Sequence, residues 1–116
     1  MARAKTYGYK VVDVFTTEPL AGNPLAVFPD ARELDETTMQ KIAKELNLAE
    51  TAFVLPATRK DGAARVRIFT TSKEMEFAGH PTIGTAFMLL QEGIVSRDSN
   101  AFILEEQIGP VSIRIE

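Results

Sequence analysis

The stretch from Thr82 to Gln91 reads TIGTAFMLLQ, and its pattern decides the fold. Ile83, Ala86, Phe87 and Leu90 recur at helical spacing, but Met88 and Leu89 fall off that stripe and are apolar as well. A helix with no polar face is buried on every side. In a chain of 116 residues, this predicts one helix enclosed by a curved sheet. Pro81 just ahead suits the first helical position, where its missing N–H costs nothing. Gly93 just beyond suits a helix end.

Outward from that helix, the chain alternates strand patterns with turn formers. Gly8 to Phe15 (GYKVVDVF) is β-branched and alternating, and reads as a strand. A turn-rich stretch, Thr16 to Pro24 (TTEPLAGNP), leads into a short apolar run, Leu25 to Phe28. The next element is a helix with several agreeing signals. Asp35 is placed to cap it, Glu36 suits the positive end of its dipole, and Leu34 and Met39 are spaced as a hydrophobic staple. Met39, Ile42, Ala43 and Leu46 make its apolar stripe, and Asn47 is a plausible stop. Thr51 to Leu55 and Ala64 to Thr70 read as strands, the second with Val66 and Ile68 on one face and Arg65, Arg67 and Phe69 on the other. Ala101 to Leu104 and Val111 to Ile115 complete the set. Strands outnumber the two helices, so the class is α+β, with a curved, barrel-like mixed sheet wrapped around a central buried helix.

No repeat or linker divides residues 1–116, which read as a single domain. The chain stops inside a strand pattern, SIRIE, and this carries the expectation that it is half of something larger. With 45% apolar and 25% charged residues, it has the make-up of a soluble globular protein. Sixteen acidic and 13 basic residues leave a charge of -3 without a basic stripe, so nucleic acid is not an expected partner. No apolar run has the length of a signal peptide or a membrane span, so the expectation is a cytoplasmic domain without a membrane partner. The absence of cysteine excludes disulfides, a thiolate nucleophile and thiolate metal sites. One histidine, and no calcium-loop or phosphate-loop spacing, lead to an expectation of no metal and no cofactor.

His80 is that only histidine, in Gly79-His80-Pro81-Thr82 at the mouth of the apolar helix. The N–H groups of His80, Thr82 and Ile83 form a natural cradle for a carboxylate or phosphate, and Gly79 lets a ligand approach the backbone. The imidazole beside it can donate a hydrogen bond or shuttle a proton. The competing reading makes His80 a helix-cap residue and Gly79 a turn former. Glu50, in NLAETAFVL, lies between apolar neighbours and suits acid–base work if it is partly desolvated. Otherwise it is a solvated glutamate at a helix end. Asp13 and Asn23 can position a ligand or simply bond to nearby backbone. Arg65 and Arg67 can meet an anion or line a solvated sheet face.

Three segments, DVFTTEPLAGNPLAV, NLAETAFVLP and RIFTTSKEMEFAGHPTIGTA, in this order resemble the phenazine-biosynthesis PhzF family of isomerase-like proteins. The resemblance runs from about Tyr9 to Ala86 and loosely to the end of the chain. It implies a diaminopimelate epimerase-like fold of two halves, each wrapping a sheet around a helix, with the active site in the cleft between them. The epimerase relation places a cysteine near Ala78. Its absence here excludes two-thiol racemisation. The PhzF pattern instead implies Glu50 as general base in a cofactor-free isomerisation of a small carboxylate-bearing metabolite. His80 is implied as a proton-handling group, with Asn23, Gly79, Pro81 and Thr82 as substrate contacts. The serine of the family's NLSE-like motif is Ala49 here, which removes one hydroxyl contact. Family members are more than twice as long, and their second half supplies an aspartate that completes the proton relay.

The resemblance covers the first half only. Either a C-terminal half or a second copy, as a homodimer, is therefore expected to complete the cleft. The alternative function is a non-catalytic anion-binding or assembly module formed by a self-paired half domain.

Overall fold

The computed structural model describes residues 7–14, 23–96 and 101–114. Its elements run β1 (Lys10–Val14), β2 (Asn23–Phe28), α1 (Glu36–Leu46), β3 (Glu50–Leu55), β4 (Ala64–Phe69), β5 (Glu74–Met75), α2 (Gly79–Gln91), β6 (Ala101–Glu106) and β7 (Gly109–Arg114). Phe15 and Ile115, expected to extend two strands, and the expected turn over 16–22 lie outside the described residues. Asn23 and Pro24 open β2 instead of closing that turn. A proline is tolerated so near a strand's start, where one missing N–H disturbs the ladder least.

The strands form a seven-stranded mixed sheet in the order β1-β2-β3-β4-β6-β7, with β5 pairing to β4 beside that path. Two of the pairings are parallel, β2 with β3 and β4 with β6, and each is bridged by a helix. β3 and β4 are antiparallel, so the second crossover starts from a strand pointing the opposite way but steps across the sheet in the same direction. Two right-handed crossovers related in this way must place their helices on opposite faces.

The packing shows that placement. Leu25, Val27, Ala52, Val54, Val66 and Ile68 pack with Ala86, Met88 and Leu89 of α2. The alternate positions, Phe28, Phe53 and Phe69, pack with Met39 and Ala43 of α1. The period of two along three adjacent strands thus builds two cores, one per face. On the α1 face the rings of Tyr9, Phe28 and Phe53 stack at centroid spacings of 5.0 Å, and Phe69 meets Phe53 edge-on at 5.5 Å.

The signals for α1 hold. Asp35 accepts a 2.8 Å bond from the Thr38 amide. Asn47 closes the helix in the left-handed region at φ 54°. Two expectations are corrected. The sheet is not closed into a barrel: among the described residues β1 and β7 are its opposite ends. Nor is α2 wrapped on all sides, because Ile83 and Phe87, one turn apart, are each 53% exposed. An open sheet offers the helix one face, and the apolar residues on the far side are left uncovered. No helix of the described residues is long and apolar enough to cross a membrane.

Candidate active site

One end of the sheet gathers the residues with chemistry. The parallel register sets Glu50, first in β3, beside Leu25 near the start of β2. Glu50 shares the pleat direction of Ala52 and Val54, whose side chains pack toward α2. β4 runs back to the same end, where Phe69 pairs with Thr51. A tight turn follows: the Thr70 amide donates to the Lys73 carbonyl at 2.8 Å, and the Thr70 hydroxyl accepts from the Lys73 amide at 3.1 Å. After β5 the chain enters α2, so the first turn of that helix stands over the start of β3.

This brings Glu50 and His80 together. Glu50 Oε2 lies 2.5 Å from His80 Nε2, with the side chains 17% and 16% exposed. Both atoms are buried, and no aligned hydrogen bond joins them. The contact is therefore a close approach of a carboxyl group and an imidazole, both largely withdrawn from water.

The remaining predicted residues fall around this pair in different ways. Gly79 is exposed, and a Cβ added there would meet nothing within 4 Å, so its backbone is open to approach. Pro81 is the third residue of α2 and not the first, because the helix begins at Gly79 with Ala78 as its N-cap. A proline fits there as well, since no first-turn amide has a partner within its own helix. The Thr82 amide donates to the Ala78 carbonyl at 3.2 Å and so belongs to the helix ladder, not to a cradle at the helix mouth. The Thr82 side chain is 3% exposed, and its hydroxyl turns inward to Ala78 and Glu106. Asn23 opens β2 at the same end of the sheet, opposite Val14, and is described by its backbone alone.

Arg67 lies on the opposite, α1 side of the sheet. Its guanidinium grips Glu74 through two bonds of 2.8 and 2.6 Å and reaches Glu36 at 2.6 Å, tying β4 to β5 and α1. Sequence reading passed over Glu106. Its signal was the alternation Phe102, Leu104, Glu106, which places a carboxylate at a core-facing position of β6. Among the described residues no group of three or more His, Asp or Glu side chains is placed to hold a metal ion.

Comparison with known proteins agrees with this architecture. The family model described as phenazine biosynthesis-like protein matches residues 12–116. An uncharacterized isomerase of Mesorhizobium japonicum is 53% identical over 92% of this chain and 35% of its own. The trans-2,3-dihydro-3-hydroxyanthranilate isomerase of Pseudomonas aeruginosa is 46% identical over 93% of this chain and 37% of its own. The crystal structure of a PhzF-family phenazine biosynthesis protein from Bacillus anthracis superposes with a TM-score of 0.88 at 34% identity, covering 97% of this chain and 37% of that one. A hydroxyproline epimerase from Agrobacterium vitis, at 14% identity and a TM-score of 0.63 over 78% of this chain and 33% of that one, shares the fold alone. The chain thus spans little more than a third of the length of the relatives it matches. With a family model covering nearly all of its described strands and both helices, the chain belongs to the phenazine biosynthesis-like protein family.

Proposed function

We propose that the chain carries the base side of a cofactor-independent isomerase that moves a proton between carbons of a small carboxylate-bearing metabolite. The observation that supports this most is the buried 2.5 Å approach of Glu50 to His80 at the mouth of α2. In this reading Glu50 takes the proton as the C–H bond breaks, and the bonding electrons pass into an enolate-like system. The amides at the start of α2, at the positive end of its dipole, face the substrate's carboxylate and the charge that develops beside it. His80 holds the proton shared with Glu50 and returns one to a second carbon, so the protein ends with the protons it began with. Asn23, Gly79 and Pro81 line the approach. The names of the relatives supply the reaction class, and the dihydro-hydroxyanthranilate of the Pseudomonas enzyme is the natural first substrate to try. A second wall for the cleft, from a C-terminal half or from a second copy of the chain, is part of the proposal.

The test is exchange of the substrate's carbon-bound proton with solvent deuterium, followed by proton NMR for the wild-type chain and for Glu50→Gln. The reading expects exchange in the wild type and none in the variant, with substrate binding retained in both. Equal exchange in the two proteins removes Glu50 from its role. Binding with no exchange in the wild type favours the anion-binding module.

A further inference from the structure

The N-terminus of α2 lacks the device that normally fixes such a turn. Its N-cap is Ala78, which makes no side-chain capping bond. Alanine is among the poorest residues at that position. β6 supplies a substitute from outside the helix. Phe102 and Leu104 point into the α2-side core, and Glu106, the next inward position, is 8% exposed. Glu105, beside it in the chain, faces the other way and binds the Thr58 and Arg59 amides.

Glu106 Oε2 stands 2.7 Å from Thr82 Oγ1, and Thr82 Oγ1 stands 2.8 Å from the Ala78 carbonyl oxygen. A hydroxyl has one proton to give. If it gave that proton to an ionised Glu106, two lone-pair-bearing oxygens would be left facing each other at the Ala78 contact. Both contacts are satisfied when Glu106 carries a proton and donates it to Thr82 Oγ1, while the hydroxyl donates to Ala78. Burial also pushes the Glu106 carboxyl above the ordinary glutamate range. Its Oε1 is buried without a hydrogen-bond partner, which a neutral carbonyl oxygen tolerates far better than a charged one. The Ala78 carbonyl receives the Thr82 amide as well, so Thr82 clamps it twice.

Ala78 and Thr82 each lie two positions from His80, one on either side of it, so what holds that clamp bears on where the ring stands. We propose that Glu106 is a positioning residue, kept as the neutral acid, which acts through Thr82 and Ala78 to hold the first turn of α2 so that His80 meets Glu50. The inference rests on the proposed role of the Glu50–His80 pair, but its test does not use that activity.

The experiment is NMR on the labelled full chain, in which the only imidazole signal belongs to His80. Followed through a pH titration, the Glu106 carboxyl carbon is expected to pass from its protonated to its ionised position at a higher pH than an ordinary glutamate. Glu106→Gln keeps a donor for Thr82 Oγ1 and is expected to preserve the His80 ring resonances. Glu106→Leu removes the donor. It is expected to displace those resonances and to speed exchange of the Thr82 amide about fivefold to tenfold, the scale of one lost hydrogen bond. A Glu106 carboxyl that titrates at or below the ordinary glutamate range overturns the proposal, as do unchanged His80 resonances in Glu106→Leu or a Gln variant as disturbed as the Leu variant. Should Glu106→Leu not fold, the wild-type carbon signal and Glu106→Gln still decide the matter. None of these readings needs substrate, so failure of the isomerase proposal would leave them standing.

Discussion

Glu50 Oε2 and His80 Nε2 meet at 2.5 Å although one opens β3 and the other stands in the first turn of α2. The sheet makes this contact: β3 starts where β4 ends, and β4 leads through β5 into the helix.

Replacing the Glu50 carboxyl by an amide is expected to leave the fold standing. A buried polar pair gains little net stability, because desolvation offsets most of the attraction. Glu50→Gln keeps the volume and an amide able to bond the ring. Chemical denaturation should place it within about 1 kcal/mol of the wild type. A much larger loss would mark the pair as a structural element and weaken its reading as a site.

The α1-side core tolerates truncation poorly. Phe53 is 0% exposed and sits between the rings of Phe28 and Phe69. Phe53→Ala should cost about 3–5 kcal/mol and Met39→Ala about 2–5 kcal/mol, read from denaturant midpoints at constant slope.

Glu105 staples the β3–β4 connection to β6. It accepts from the Thr58 amide at 2.9 Å and the Arg59 amide at 3.2 Å, and from the Thr58 hydroxyl. A Cβ on Gly62 would press against this same carboxylate. Glu105→Ala should cost about 1–3 kcal/mol by leaving those donors unpaired. Gly62→Ala should destabilise the wild type but cost less in the Glu105→Ala background. Additive losses in that double-mutant cycle would show that the two sites do not share the contact.

Neighbours on β6 should respond to pH in opposite senses. The Thr58 hydroxyl, the largest cause, together with the Arg59 and Thr58 amides, holds Glu105 below the ordinary glutamate range. Its contribution is therefore present above the unfolded-chain pKa and is lost as pH falls through the lower folded value. Burial holds Glu106 above that range. Its protonated form is favoured in the folded state, so its contribution is full below the unfolded pKa and declines as pH rises through the higher folded value. Glu105→Gln should thus close its stability gap to wild type on acidification. Glu106→Gln, which does not titrate, should gain on wild type as pH rises from the ordinary carboxylate range. Parallel stability–pH curves for wild type and Glu106→Gln would contradict the raised value.

The elements read correctly from sequence are those whose signals are local. Asp35, the Met39–Leu46 stripe and Asn47 specify α1 within a few turns of chain, and the alternation of Val66 and Ile68 against Arg65 and Arg67 specifies β4. β5 was missed because two residues are too short to show a period. The sequence suggests Pro81 as the first residue of α2, two residues late, because proline fits any first-turn position. Its apolar circumference reads as enclosure, but the exposed Ile83 and Phe87 show that composition does not say what covers a face. The resemblance pointed to Glu50 and His80, whereas their contact depends on sheet topology that no spacing reveals. Glu106 could have been found by counting inward positions along β6.

The hairpin of β3 and β4 is the one segment that both helical crossovers use. Its connection spans only residues 56–63, so its ends are near each other before any distant part of the chain arrives. Closing it costs little entropy, as does closing the still shorter β6–β7 hairpin, and each parallel pairing has to wait for a longer segment to return. This predicts an order of events in time: the hairpin forms early, and the two helices then settle on their separate faces. Kinetic measurements should find Val66→Ala slowing folding, while Met39→Ala and Leu89→Ala chiefly hasten unfolding. On that account the reversal between β3 and β4 is both the geometric reason for two cores and the event from which each of them grows.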